Sequence, residues 1–203
     1  MKKLLILGLA ASCLLSWTSR AAEAFAPDAE GYIRHWLVLA PIRLGEGDSG
    51  SEAVFRAQIR DEANLRPKAG DKVSVRGKEF TWQTMTATTN YFDFNAVLKT
   101  INDAAAGYAV TYVESETDQP DVVLAVASND QGRIYFNGVD IYLWSEPRTL
   151  MLDAPDKGKV TLKKGINVFV FKVVNEQNAW QGSMRLLDKS GAPLKNVKIK
   201  LAP

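Results

Sequence analysis

Asp121 to Tyr142 reads D-V-V-L-A-V-A-S-N-D-Q-G-R-I-Y-F-N-G-V-D-I-Y, and its punctuation decides the fold class. Val122 to Ala127 is an unbroken, valine-rich apolar run. It is too short for an ordinary helix and stops at Ser128-Asn129-Asp130, the profile of a buried strand. Arg133 to Asn137 alternates, with Ile134 and Phe136 on one face and Arg133 and Tyr135 on the other. Asn137-Gly138 follows. A type I′ turn needs positive φ at both central positions, which Asn and Gly tolerate, so the pair predicts a hairpin returning through Val139 to Leu143.

Outward from this hairpin the same grammar repeats. Gly31 to Ala40 is a candidate strand, ended by Pro41. It carries His35, the single histidine of the chain, which reads as a packed or edge residue beside Trp36. Ser51 to Leu65 predicts a short helix. Phe55 and Ile59 lie four apart on it, and Arg56, Arg60, Asp61 and Glu62 make a charged outer face. Strands are expected at Lys72–Val75, Glu79–Thr84 and Tyr91–Phe94, with Trp36 and Trp82 in the core. Further strands are expected at Tyr108–Glu114, Val160–Leu162 and Asn167–Val174. Gly182–Leu187 should point Met184 and Leu186 inward and Arg185 outward, and Val197–Leu201 should close the sheet. Short strands with frequent turns and few helices predict an all-β protein, an antiparallel β-sandwich of jelly-roll type with one or two short helices.

The N-terminus predicts export. Lys2 and Lys3 precede an interrupted apolar run, Leu4 to Trp17, and Ala22-Glu23-Ala24 fits a cleavage site. Residues 1–24 therefore read as a secretory signal peptide and 25–203 as a single domain. Cys13 lies inside the apolar run without a convincing lipobox, so a lipid anchor is not expected. The product is expected to be periplasmic or extracellular, with no transmembrane segment after signal removal. Of the 25 basic residues, Lys2, Lys3 and Arg20 fall in that segment; of the 23 acidic residues, Glu23 alone does. The remainder is balanced in charge, which argues against a nucleic-acid partner. It also contains no cysteine, so disulfides are not expected to hold it together.

Seven motifs in order resemble a known family: W-L-V-L-A-P (Trp36–Pro41), F-T-W-Q (Phe80–Gln83), F-D-F-N (Phe92–Asn95), Y-A-V-T-Y-V (Tyr108–Val113), S-N-D-Q-G-R-I-Y-F-N-G (Ser128–Gly138), L-K-K-G-I-N-V-F-V-F-K-V (Leu162–Val173) and W-x-x-x-M-R-L-L-D-x-x-G-x-P-L (Trp180–Leu194). The chain resembles the galactose-binding-like β-sandwich. That is the fold of the non-catalytic sugar-binding domains of glycoside hydrolase family 2 and of similar secreted bacterial proteins. The resemblance implies a carbohydrate-binding module. A related sandwich places paired aspartates in the corner for calcium-dependent sugar binding; here Asn129 stands at the first of them.

The residues themselves support binding over catalysis. No Ser-His-Asp context, G-x-S-x-G, P-loop or mature cysteine nucleophile is present, so the chain is not expected to be an enzyme. Asp118, Asp121, Asp130, Asp140, Glu146 and Asp153 are acids of the solvated-loop kind. Sugar recognition pairs flat aromatic faces with Asn, Asp and Arg. The candidate ligand-binding residues are Tyr142, Trp144 and Trp180, with Asn129, Asp130 and Arg148 as polar partners. Asn129, Asp130 and Gln131 also offer three side-chain oxygens toward a calcium site, although corner chemistry alone explains them. No other cofactor is implied. The expected partner is a carbohydrate, or a secreted or cell-envelope protein if the sandwich serves a structural or assembly role.

Overall fold

The computed structural model describes residues 23–203. The expected signal peptide and Cys13 lie outside the described residues, apart from Glu23 and Ala24 at the boundary. Among the described residues the strands in chain order are β1 (Ala24–Phe25), β2 (His35–Arg43), β3 (Lys72–Val75), β4 (Lys78–Thr81), β5 (Gln83–Thr86), β6 (Phe92–Asp93) and β7 (Ala105–Ser115). They continue with β8 (Gln119–Asn129), β9 (Gln131–Phe136), β10 (Val139–Trp144), β11 (Asp156–Leu162), β12 (Gly165–Asn175), β13 (Gln181–Leu187) and β14 (Val197–Lys200). Two short helices, α1 (Gly50–Phe55) and α2 (Phe94–Leu98), complete the set with a 3-10 turn at Glu62–Asn64.

The strands build an antiparallel β-sandwich. The larger, eight-stranded sheet runs β1-β14-β7-β12-β9-β10, with β2 joining β7 and β5 joining β2. The smaller runs β11-β8-β13-β6, and β3 with β4 forms a separate hairpin. Strand period two decides what each face carries. On β12, Phe169, Phe171 and Val173 meet the inward face of the small sheet, where Val122, Leu124, Val126, Met184 and Leu186 lie. The intervening Val168 and Val170 join Tyr108, Val110, Tyr112 and Tyr135 on the opposite side. That outer face is covered in turn by residues 44–82, through Ile59, Val75 and Trp82. The large sheet is therefore buried on both faces, which is why β7 and β12 are apolar at nearly every position.

The hairpin forms as its sequence predicts. Asn137 and Gly138 have φ of 50° and 86°, and β9 pairs β10 across them. Ile134 faces the inter-sheet core and Tyr135 the covered outer face. Met184 and Leu186 point inward with Arg185 outward, and Trp36 and Trp82 are buried, also as expected.

Several expectations change. The single strand expected at Glu79–Thr84 is two: β4 ends at Thr81 and pairs β3, and β5 begins at Gln83 and pairs β2. The first strand does not end at Pro41. It continues to Arg43 through a register shift between Leu39 and Ile42, and a residue without an N–H is tolerated at such an irregularity. Nor does it begin at Gly31: Tyr32 bridges Arg185 and the Ile33 N–H donates to the Met184 carbonyl at 3.0 Å on the small sheet, and the chain then crosses to the large one. The helix expected over Ser51–Leu65 stops at Phe55. Ser49 caps it, in a capping box with Glu52. Glu62, expected on a solvated face, is buried instead.

Candidate functional site

The polar corner, the Tyr142–Trp144 strand end and Arg148 come together, and Arg148 is the hub. It lies on the 145–155 connection between β10, an edge of the large sheet, and β11, an edge of the small one. Its Nη1 donates to Asp156 Oδ2 at 2.8 Å. Its Nη2 donates to Ser128 Oγ at 3.0 Å and to the Tyr142 hydroxyl at 2.5 Å, and its Nε to the Ser128 carbonyl at 3.2 Å. Tyr142 OH donates in turn to Asp156 Oδ2 at 2.8 Å. One guanidinium thus ties the two sheet edges together. Burial raises the pKa of the Tyr142 phenol, with the Asp156 carboxylate adding to the shift and Arg148 opposing it, so Tyr142 remains a donor.

Most hydrogen-bonding capacity in this cluster is spent on the protein. The Arg148 guanidinium sits 4.2 Å from the Trp144 ring centroid, covering one face of the indole, and Trp144 Nε1 donates to the Glu146 carbonyl at 2.8 Å. Asp130 Oδ1 accepts the Arg148 backbone N–H at 3.3 Å and Oδ2 accepts that of Glu176 at 3.0 Å. Burial raises the Asp130 pKa, and those backbone N–H groups oppose the shift. Asn129 is buried in β8 opposite Gln181. No group of three or more His, Cys, Asp or Glu suited to a metal occurs among the described residues. Both oxygens of the Asp130 carboxylate are thus engaged by backbone N–H groups.

Trp180 does not join the cluster. It is fully buried, packs 4.6 Å from Phe94 by ring centroids, and donates Nε1 to the Val173 carbonyl at 3.1 Å. Its expected ligand-stacking role is corrected to a core role. The cause is Gly107 on β7: a Cβ there would lie 2.8 Å from both the Trp180 and Phe94 rings, so the missing side chain makes the space that takes the indole. The polar residues flanking Trp180 in sequence belong to the turn and do not mark an exposed ring. His35 stacks on Phe25 at 3.6 Å, and burial lowers its pKa, as a packed histidine requires.

A second polar cluster escaped the sequence. Lys172, which follows Val168 and Val170 along the outer face of β12, is fully buried. Its ammonium donates to the Val54 and Arg56 carbonyls at 3.2 and 2.6 Å and to both Glu62 oxygens at 3.3 and 3.2 Å. Glu62 also accepts from the Tyr108 hydroxyl, and from Tyr135 OH at 2.6 Å. Burial pushes Lys172 down to about 8 against the opposing pull of Glu62, and raises both phenols. Acid, base and phenol chemistry are juxtaposed here, but Lys172 and Glu62 are sealed from solvent and every partner is protein. The cluster fastens the 50–65 segment to the sheet.

The open site is on the outer face of the small sheet. A groove of about 510 Å³ is lined by Glu30, Tyr32, Asn90, Ala125, Asp153, Lys157 and Arg185, with Leu152 and Pro155 among the wall residues. Four separate segments form its walls: residues 30–32, the turn at Asn90, the 145–155 connection that Arg148 fastens, and the turn at Gly191. None of the expected candidates lines the groove, and Arg148 is linked to it only through the connection that it fastens. Arg185 was legible as outward-facing, but its neighbours depend on strand order, which no local pattern encodes. Comparison with protein-family models finds no match to this chain, and comparison with curated protein sequences finds none either.

Proposed function

We propose that the protein is an exported, non-catalytic carbohydrate-binding module of the galactose-binding-like kind, with its ligand in the groove on the outer face of the small sheet. The observation that carries this reading is the groove's lining. Amide, carboxylate, ammonium and guanidinium groups (Asn90, Asp153, Lys157, Arg185) converge from different segments on one concave surface. That is the arrangement by which several hydroxyls of one ligand are read at once. Sequence resemblance supplies the class of ligand, and the rigid sandwich beneath supplies preorganisation.

The test is a binding screen of the purified protein against soluble glycans and insoluble polysaccharides, with and without calcium. Specific retention, abolished by Asn90→Ala combined with Asp153→Ala in protein that melts normally, is the expected result. Retention that survives the double substitution but is lost in Trp144→Ala would return the site to the β10 strand end.

A second reading is a structural or assembly module with a protein partner. The exposure of Val139 and Leu143 on edge strand β10 favours it. Phe55 is exposed too, and its carbonyl accepts from Arg133, the cross-strand partner of Leu143. A blank glycan screen with folded protein, together with co-purification that Val139→Ser and Leu143→Ser abolish, would select this reading.

A further inference from the structure

We propose that the groove takes an acidic saccharide, with the sugar's anionic group (a uronate carboxylate or a sulfate ester) held between Lys157 and Arg185. This rests on the groove being a glycan site and adds the charge of the ligand.

Lys157, Ala125 and Arg185 are direct cross-strand neighbours on β11, β8 and β13. Leu124, Val126, Met184 and Leu186 point into the core, so Ala125 and Arg185 belong to the outer face. Adjacent strands lie about 4.8 Å apart, which sets the two cationic residues on either side of a single methyl, about 10 Å apart at the backbone. Ala125 is 2% exposed, so its methyl is covered, and an anion lodges above it between the two long side chains.

Each cation has unspent capacity. Lys157 makes no ion pair or hydrogen bond to its ammonium among the described residues, in contrast to Lys159 beside it, which pairs with Asp121 at 3.5 Å. Arg185 is held in place on one side only. Its Nε and Nη2 donate to the Glu30 carbonyl at 2.9 and 2.7 Å, and its guanidinium carbon lies 4.6 Å from the Tyr32 ring centroid. Its Nη1 has no protein acceptor among the described residues. A guanidinium fixed by two backbone contacts and a ring is ordered before ligand arrives, so little side-chain entropy is lost on binding.

The groove offers a sugar no open aromatic face. Tyr32 is the one aromatic among its lining residues, and it is 5% exposed, with Arg185 over its ring. A sugar ring therefore finds no free face to stack on, and charge must do more of the work. The walls also carry two carboxylates, Glu30 and Asp153, so the preference rests on the local Lys157–Arg185 pair and not on the net charge of the groove. Glu30 Oε2 accepts from Asn90 Nδ2 at 3.2 Å, and Asp153 is exposed and can accept sugar hydroxyls.

Calorimetric titration of the purified protein with polygalacturonate, a sulfated galactan and neutral galactan tests this. One acidic polymer should bind at least roughly tenfold more tightly than the neutral one, with Lys157→Ala erasing the preference. Which acidic polymer binds distinguishes carboxylate from sulfate. Lys157 has no partner to lose, so the variant should fold. Equal affinity for neutral galactan, unchanged by Lys157→Ala, overturns the charge assignment and leaves the glycan site standing. An acidic preference that survives Lys157→Ala overturns the placement. No binding to any of the three polymers overturns the proposal, and a blank across the broad glycan screen as well overturns the glycan reading beneath it.

Discussion

The two outer faces of the sandwich treat a lysine in opposite ways. On the large sheet Lys172 is fully buried, with four acceptor atoms, two of them carboxylate oxygens of Glu62 and two backbone carbonyls of the 50–65 segment. On the small sheet Lys157 is exposed and meets no acceptor among the described residues. Both stand on strands and both project away from the inter-sheet core. The difference is the second layer: residues 44–82 cover the large sheet, whereas the outer face of the small sheet is only partly covered and leaves Lys157 at the surface. Burial forces a charge to find partners within the chain, because an unpaired buried ion costs several kcal/mol. Exposure leaves a charge free for a partner from outside. A complete hydrogen-bond shell marks architecture here, and an incomplete one on a concave surface marks a place to bind.

Breaking the sealed face should produce the largest effect. Glu62→Ala leaves Lys172 buried without its counter-ion and should cost about 3–5 kcal/mol in urea unfolding. Glu62→Leu combined with Lys172→Met removes both charges and should cost clearly less than either single change. A double substitution as damaging as the sum of the singles would show that the pair is not coupled.

The Arg148 cluster lies between the two extremes, partly buried and fully partnered. Arg148→Ala leaves the Asp156 carboxylate and Ser128 groups short of donors, and should cost about 1–3 kcal/mol. It should also loosen the 145–155 wall and weaken glycan binding, although Arg148 is not among the groove-lining residues. Amide hydrogen exchange should rise in the 145–155 segment and stay unchanged in β12.

A smaller effect follows from the buried phenols. Tyr108, Tyr112, Tyr135 and Tyr142 all have raised pKa values, with burial the first cause in each. Above pH about 10 the unfolded chain releases phenolic protons that the folded chain retains, so stability should fall as pH rises beyond that point. Lys172 has the opposite sign. Its folded pKa of about 8 lies below its unfolded value, so the unfolded chain binds more protons between the two and this residue's contribution rises with pH across that window. Chemical denaturation at a series of alkaline pH values should show the tyrosine decline, and Lys172→Met should remove the rise beneath it. The smallest effect on folding belongs to Lys157→Ala, within about 0.5 kcal/mol, the size expected of an exposed residue with no partner. Its consequence should appear in ligand binding alone.

Much of this architecture was legible in the sequence because local chemistry is enough to specify it. Asn137-Gly138 makes a turn wherever it occurs between alternating strands. The Val122–Ala127 run has nowhere to go but a core. Met184, Arg185 and Leu186 sort themselves to opposite faces by period two alone. The partial reading of the site has the same origin. Tyr142, Trp144, Asn129, Asp130 and Arg148 lie within twenty residues of one another across a hairpin, so their meeting is nearly a local event. Trp180 failed as a candidate because its environment is made by Gly107 and Phe94, more than seventy residues away. Glu62 failed because a charged residue after a helical pattern looks solvated until Lys172, from β12, is placed above it.

Turn preference and side-chain alternation act over a few residues, and they are enough to specify the antiparallel sandwich, its principal hairpin and the sorting of side chains to the two faces of individual strands. Which outer face is more fully covered, and that β11, β8 and β13 stand side by side, follow only from the assembled sheets. Strand order and layer order arise from contacts between distant segments, and no periodicity in the chain records them. The groove, and the row of Lys157, Ala125 and Arg185 across its floor, exist only at that level.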